Sequence, residues 1–315
     1  MTIKAIRSIE DVQESASSGL ITPTQLSKNP VVGSICFAEV PGGALVHGQY
    51  TGDVRVRGPL SETTVTLGIL IDGSHAKVNG QTITPGGIAL FPSGFDHDAI
   101  YNGGLDYLLF TVDRTQILEA ARRDGLRLQK TALDRPMTGN QPQNLSEQLR
   151  SRARRMVEVI RAQPDVCGHP AAGTALSDEL FSLYLRSARG MVLCESEDRC
   201  DFQDGASVVR LAEDWLRANS SPLVSIDHLC NALGYSQRGL YRAFQSELGI
   251  SPARYLKLYR LSRARHQLTR AEPMQTTVAE IGLRWGFWEL GRFASEYRTL
   301  FGELPSETLR KRRSD

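Results

Sequence analysis

Apolar positions in the last third of the chain repeat with the spacing of short helices, and the arrangement occurs twice. The first copy covers residues 227–252 and the second covers residues 279–305, at an offset of 52 residues that becomes 53 beyond the turn. Each copy has a short apolar helix, a turn with glycine and an aromatic residue, and a second helix with apolar positions at i, i+4 and i+8. The pattern predicts two helix-turn-helix motifs, at residues 225–248 and 277–301.

Capping residues mark the ends of these helices. Ser225 and Ser236 stand where N-caps are needed, Ser251-Pro252 opens a long helix between the motifs, and Thr277 is followed by a glutamate at capping-box spacing. We expect an all-α domain of seven helices over residues 206–315. Two motifs on one long central helix are typical of a protein that reads two stretches of DNA groove.

Period-two and continuous apolar runs dominate an earlier region. Between residues 31 and 113 they occur about every ten residues, separated by turn signals such as Asn79-Gly80. This spacing predicts a β-sandwich or barrel. Helical periodicity follows at about 143–163 and 174–189, within a first domain of residues 1–200. The chain is therefore predicted to be α+β, and the pattern leaves open whether these two helices pair subunits or cover their own sheet.

Composition narrows the function classes. Hydrophobic residues make up 41% of the chain, and no apolar run approaches the length of a membrane span. The five cysteines are odd in number and form no Cys-x-x-Cys pair, which favours reduced thiols and a cytoplasmic location. Residues 206–315 hold 17 basic against 11 acidic side chains, whereas the rest of the chain is net acidic. A basic module beside an acidic one suits a nucleic-acid reader attached to a second domain.

The run from Trp285 to Leu309, WGFWELGRFASEYRTLFGELPSETL, resembles the AraC/XylS family of bacterial transcription regulators. Matching pieces also lie at residues 240–244, 248–252 and 260–265. The run is most similar to the branch that holds the ethanolamine-operon and benzoate-responsive activators. Residues 79–92 resemble the cupin-like jelly-roll effector domains of such regulators. The resemblance implies a sensor domain that forms a homodimer, a DNA-binding domain, and contact with RNA polymerase.

The second helix of each motif carries the candidate DNA-reading residues. In the first motif we expect Leu240, Tyr241, Phe244 and Leu248 to face the core, which leaves the other side chains facing outward. The candidates are Ser236, Gln237, Arg238, Arg242, Gln245, Glu289, Arg292, Ser295 and Glu296. Arginine and glutamine match guanine and adenine edges, and glutamate accepts from cytosine. The alternative is a solvated helix face, or contacts to phosphate alone.

Other clusters suggest different chemistry. Three histidines in the β-rich region, His47, His75 and His97, lack a close His-x-His pair, so we expect no metal. A hydrolase is also disfavoured because no Gly-x-Ser-x-Gly turn exists.

An anionic effector, such as a cyclic dinucleotide, is a further possibility. Arg150 and Arg154 lie four residues apart on a predicted helix, and Asp72 and Ser74 form an Asp-x-Ser. The alternative is again a solvated helix face.

The sequence therefore favours a ligand-responsive transcription activator that is not an enzyme and needs no cofactor. Its expected partners are double-stranded DNA, RNA polymerase, an unknown small-molecule effector and a second copy of the chain. Two alternatives stay open. One is a cupin-type enzyme or ligand-binding module with an appended DNA-binding domain, and the other is a regulator controlled by a partner protein.

Overall fold

The computed structural model describes residues 2–14, 21–125, 128, 130–163, 167, 169–192, 205–219, 224–272 and 275–311. These residues form two compact units. The first contains Met1–Pro23 and Val31–Ser196, and the second contains Thr24–Pro30 and Glu197–Asp315. The short segment 24–30 therefore clusters with the second unit. Residues 201–204, between the two predicted domains, lie outside the described residues.

The first unit is built on an antiparallel sheet. The strands of this sheet are β1 Thr2–Ile6, β2 Thr22–Gln25, β3 Gly33–Val40, β4 Gly43–Tyr50, β5 Val54–Pro59, β6 Val65–Val78, β7 Gln81–Ile83, β8 Ile88–Phe91, β9 Asp96–Val112 and β10 Met137–Gly139. The last two residues of β2 belong to the second unit. The long strands β6 and β9 pair with each other, and β9 also pairs with β5 and then with β4 along its other edge. β6 and β7 are joined at Asn79 and Gly80, both with positive φ, as an Asn-Gly hairpin turn requires.

Both faces of this sheet are buried, and alternate residues of each strand serve different faces. On β6, Val65, Leu67 and Ile69 belong to the main hydrophobic core. The intervening Thr66 and Gly68 line a cavity on the opposite face. This double burial explains why the first half of the strand, residues 65–71, carries no charged side chain.

The helices of this unit are α1 Ile9–Glu14, α2 Arg114–Arg123, α3 Gln143–Ala162 and α4 Pro170–Val192. Three of the helices, α2, α3 and α4, contribute to the main core on one face of the sheet, whereas Val12 of α1 lines the cavity on the other face. Leu149 and Ile160 of α3 and Leu180 of α4 are at most 3% exposed and share one core with strand residues such as Phe110. The apolar faces of α3 and α4 therefore cover their own sheet. They are not free to pair subunits.

The second unit is helical, with the seven helices that were predicted falling within its described residues. They are α5 Gly205–Ala218, α6 Ile226–Leu233, α7 Gln237–Leu248, α8 Pro252–Arg270, α9 Val278–Arg284, α10 Leu290–Phe301 and α11 Pro305–Lys311. The predicted α+β fold with two helix-turn-helix motifs is confirmed. The motifs are α6–α7 and α9–α10, and α8 lies between them in the chain.

A buried ion pair fastens α8 to the end of the second motif. Arg265 Nη1 lies 2.9 Å from a carboxylate oxygen of Glu303, and the two side chains are 7% and 12% exposed. The guanidinium also lies 4.7 Å from the ring centroid of Phe301. Leu261 and Leu268 of α8 join the apolar core of the second motif.

Candidate nucleic-acid interface

The turn of the first motif is set by local backbone chemistry. Gly234 ends α6 with a φ of 70°, a conformation that glycine adopts without strain. The Ser236 hydroxyl accepts from the Gly239 N–H at 3.1 Å and so caps α7. The rings of Phe244 and Tyr255 meet edge to face, with centroids 5.3 Å apart, and hold α7 against α8.

The opposite face of α7 is open to solvent. The exposed side chains are those of Gln237, Arg238, Tyr241, Arg242 and Gln245. The expectation that Tyr241 faces the core is wrong, because it is 41% exposed. Tyr241 is three residues beyond Arg238 and therefore shares the outer face of the helix. It adds an aromatic hydroxyl to the predicted set.

The polar side chains on this face differ in how far they are already engaged. Gln237 Nε2 donates to Asp227 at 2.6 Å, and Gln245 Nε2 donates to the carbonyl of Gly249 at 3.2 Å. The guanidinium groups of Arg238 and Arg242 have neither a hydrogen bond nor an ion pair within the described ranges. These two arginines can therefore meet an incoming acceptor without first breaking a contact.

The second motif begins with the predicted capping box. Glu280 N–H donates to the Thr277 hydroxyl at 3.2 Å, and Thr277 N–H donates to the Glu280 carboxylate at 2.8 Å. The bond from the Thr277 backbone holds the pKa of Glu280 below its usual value. By contrast, the side chain of Glu289, the N-cap residue of α10, is exposed and makes no capping hydrogen bond.

On α10 a small network determines how the predicted residues are presented. Glu296 accepts from Arg292 Nε and from Lys257 Nζ, each at 3.0 Å. Partial burial of Glu296 acts to raise its pKa, but the bonds and charges of these two cations outweigh it and lower the pKa. Arg292 and Ser295 are exposed, whereas Glu296 is only partly so. The geometry therefore favours Glu296 as a group that orients Arg292 over a direct base contact.

Trp288 was not predicted from the sequence, although the pattern held a signal for it. The offset between the copies is 52 residues for Tyr235 and Phe287 and 53 residues for Ser236 and Glu289. The inserted residue is therefore Trp288, which has no counterpart in the first motif. Its side chain is 71% exposed, in the turn that precedes α10.

The residues of the predicted anion site lie close together in the first unit, but their opposite charges pair with each other. Arg154 lies 2.8 Å from the Asp72 carboxylate, and Arg150 Nε donates to the backbone carbonyl of Ile71 at 2.8 Å. Ser74 lies on β6, two residues beyond Asp72, and its hydroxyl donates to the carbonyl of Asn102 on β9. An anion would have to displace Asp72 before it could bind both arginines.

A cavity of about 110 Å³ lies on the sheet face that α3 and α4 leave uncovered. Aliphatic side chains from several strands, and the rings of Tyr50, Phe91 and Tyr107, form most of its wall. Concave apolar sites with a few polar groups are the usual form of a small-molecule pocket. This cavity is therefore the candidate effector site of the first unit.

The histidines of the sheet make structural hydrogen bonds. His47 Nδ1 accepts from Arg161 at 3.0 Å, which places the Nε2 proton toward Asp106 at 2.9 Å, and His97 Nδ1 donates to the carbonyl of Gly58. The side chain of His75 lies outside the described ones. The part of the chain that is described contains no group of three metal-ligating side chains. None of its helices combines the length and apolar character that crossing a bilayer would require.

Comparison with known proteins adds independent evidence. Residues 229–311 match the helix-turn-helix domain family. The probable thc operon regulatory protein of Rhodococcus erythropolis is 38% identical over 146 residues, which are 45% of this chain and 42% of that protein. XylDLEGF operon transcriptional activator 2 of Pseudomonas putida is 32% identical over 117 residues, 37% of this chain and 74% of that protein. Activator 3 of that operon, from the same organism, is 26% identical over 273 residues, covering 84% of this chain and 78% of that protein.

Proposed function

Because this chain belongs to the AraC/XylS family of transcription regulators, we propose that it is a DNA-binding transcription activator controlled by a small molecule. The observation that carries the proposal is the pair of helix-turn-helix motifs that flank α8, each with an exposed recognition face. Two of these relatives, the XylDLEGF operon activators of Pseudomonas putida, are transcriptional activators by name. In this proposal the second unit acts by binding DNA, and its two motifs need no enzymatic step.

In this proposal α7 and α10 each enter a major groove. Arg238 and Arg242 approach one box, while Arg292 and Ser295 approach the other. Bidentate contact of an arginine with guanine provides about 1–3 kcal/mol of discrimination against a wrong base. Since α10 presents one arginine beside two glutamates, we expect it to bind less tightly and more selectively than α7.

The sheet unit is the proposed sensor. A ligand changes transcription only if it binds the active and inactive states with different affinities. We propose that the effector occupies the cavity in the sheet and that the activated protein contacts RNA polymerase. A homodimer is also proposed, and it would use surfaces other than the buried faces of α3 and α4. Val159, 45% exposed on the outer side of α3, is a suitable site for a test by Val159→Asp and sedimentation.

Selection of binding sites from random DNA with the full-length protein tests this function. We expect recovery of a site with two short boxes, protected together by one monomer. Purified protein that selects no sequence, yet turns over a small molecule, would instead favour the alternative of a cupin-type enzyme with a DNA tether. Selective binding together with measurable activation of a reporter would support the proposal.

A further inference from the structure

Two threonines face the cavity from neighbouring strands, and only one of them has its hydroxyl engaged within the described part of the chain. Thr66 of β6 and Thr111 of β9 are register partners. The Thr111 hydroxyl donates to the backbone carbonyl of Ala44 at 3.0 Å. The Thr66 side chain is 1% exposed, and its Oγ1 has no hydrogen-bond partner among the described residues. A buried hydroxyl left unbonded is unfavourable, so Thr66 indicates where a bound molecule places a polar group.

The cavity wall carries no acidic side chain, lysine or arginine among the described residues. The hydroxyls of Tyr50, Tyr101 and Tyr107 are neutral at pH 7, and burial raises their pKa further above its usual value. His97 on the wall donates through Nδ1 to a backbone carbonyl. A carboxylate that entered this site would lose its hydration without gaining a guanidinium or ammonium partner, which is strongly unfavourable.

The size of the cavity sets the scale of the occupant. An engineered apolar cavity of about 150 Å³ in another protein binds benzene, and the cavity here measures about 110 Å³. Small shifts of its aliphatic side chains would make room for one ring. Two rings would exceed the volume that such shifts can provide, and a sugar would leave several hydroxyls unbonded against the aliphatic wall.

We propose that the effector is a neutral, one-ring molecule with a single hydrogen-bonding group, and that the Thr66 hydroxyl binds that group. This proposal rests on the proposed function, because it specifies the effector of the same regulator. It also departs from the benzoate-responsive branch that the C-terminal motif resembles. The distinction lies in charge, since benzoate is an anion at neutral pH.

Three probes of similar size, benzene, phenol and benzoate, test the proposal with the full-length protein at pH 7. Binding is measured by calorimetry. Phenol should bind about fivefold more tightly than benzene, the net effect of one hydrogen bond. Benzoate should bind at least about fiftyfold more weakly than phenol because its charge must be desolvated. Benzoate binding as tight as phenol binding would overturn the proposal.

Matched variants identify the group that contacts the ligand. Thr66→Val, which keeps the side-chain shape, should lower phenol affinity about fivefold to that of benzene and leave benzene unchanged. Thr111→Val is the control, because its hydroxyl is already engaged, and it should leave the phenol-to-benzene ratio unaltered. Ala89→Leu, which extends a cavity-lining side chain, should abolish binding of both. Equal effects of the two threonine variants on phenol, or none for Thr66→Val, would overturn the role of Thr66.

Failure of this proposal is distinguishable from failure of the proposed function. DNA binding by the same preparations is measured separately, by fluorescence anisotropy on a selected site. Intact, selective DNA binding with no affinity for any probe would refute the effector class alone. Probe binding in a protein that selects no DNA sequence would refute the regulator function while leaving the cavity assignment in place.

Discussion

Insertion of base pairs between the two boxes of a selected site tests how the motifs are held. The first motif packs on α8 through Phe244 and Tyr255, and the second packs on it through Leu261, Leu268 and the buried ion pair. A helix of 19 residues is about 28 Å long, close to the roughly 34 Å that separates successive major grooves on one face of DNA. We therefore expect the boxes to lie about 10 bp apart.

An insertion of about 5 bp moves the second box by roughly 17 Å and turns it to the opposite face of the duplex. Specific complexes are about 10³-fold or more tighter than non-specific ones. If one motif contributes half of that free energy, its loss lowers affinity at least about 30-fold. A 10 bp insertion restores the face but not the distance, so a rigid α8 should fail on both altered sites.

The assay is fluorescence anisotropy with full-length protein at one fixed salt concentration, because affinity for DNA depends steeply on salt. A site with the same boxes and unchanged spacing but a scrambled spacer is the control. Retained affinity after the 5 bp insertion would refute the two-groove arrangement. Affinity recovered at 10 bp would refute the rigidity of α8, since it would mean that the motifs move independently.

Three further outcomes can be measured. Arg242→Ala should cost about 1–3 kcal/mol on the selected site and relax preference at one base pair, whereas equal weakening on a panel of sequences would make Arg242 a phosphate contact. Trp288→Ala should change the free energy of unfolding by no more than about 0.5 kcal/mol, yet weaken DNA binding. Trp285→Ala removes a buried indole that donates to a glutamine, and should lower the free energy of unfolding, measured by urea melts, by about 3–5 kcal/mol. Glu303→Leu alone should destabilise by about 3–5 kcal/mol, and adding Arg265→Met should recover most of that loss; a double variant no better than the single one would contradict the role of the pair.

Local signals account for the parts of the structure that could be predicted. Ser225, Ser236 and Thr277 cap helices where their positions before apolar runs indicated, since a cap depends on residues within one turn. Strand and turn signals likewise placed β3 to β9, whereas the described strands β1, β2 and β10 lie outside the predicted residues 31–113. The change in repeat offset also indicated an inserted residue near Trp288. The exposure of its side chain, however, is evident only in the folded structure.

What could not be predicted depends on residues far apart in the chain. The apolar faces of α3 and α4 were evident, but periodicity does not say which surface covers them. Asp72 meets Arg154 across 82 positions, so the ion pair that neutralises the expected anion site is invisible to spacing. Thr66 reads as an ordinary strand residue. Its unbonded hydroxyl becomes apparent only beside the engaged Thr111.

The single residue inserted at Trp288 has a consequence for the target as well as for the protein. Regulators built as symmetric dimers bind sites that read the same on both strands, because the two reading helices are identical. Here one recognition helix is capped by Ser236 and presents two arginines, while the other begins at Glu289 after an extra tryptophan and presents one. A monomer with two unlike readers imposes a direction on DNA. Its site should therefore work in one orientation relative to a promoter, and reversing the box order should produce a different site.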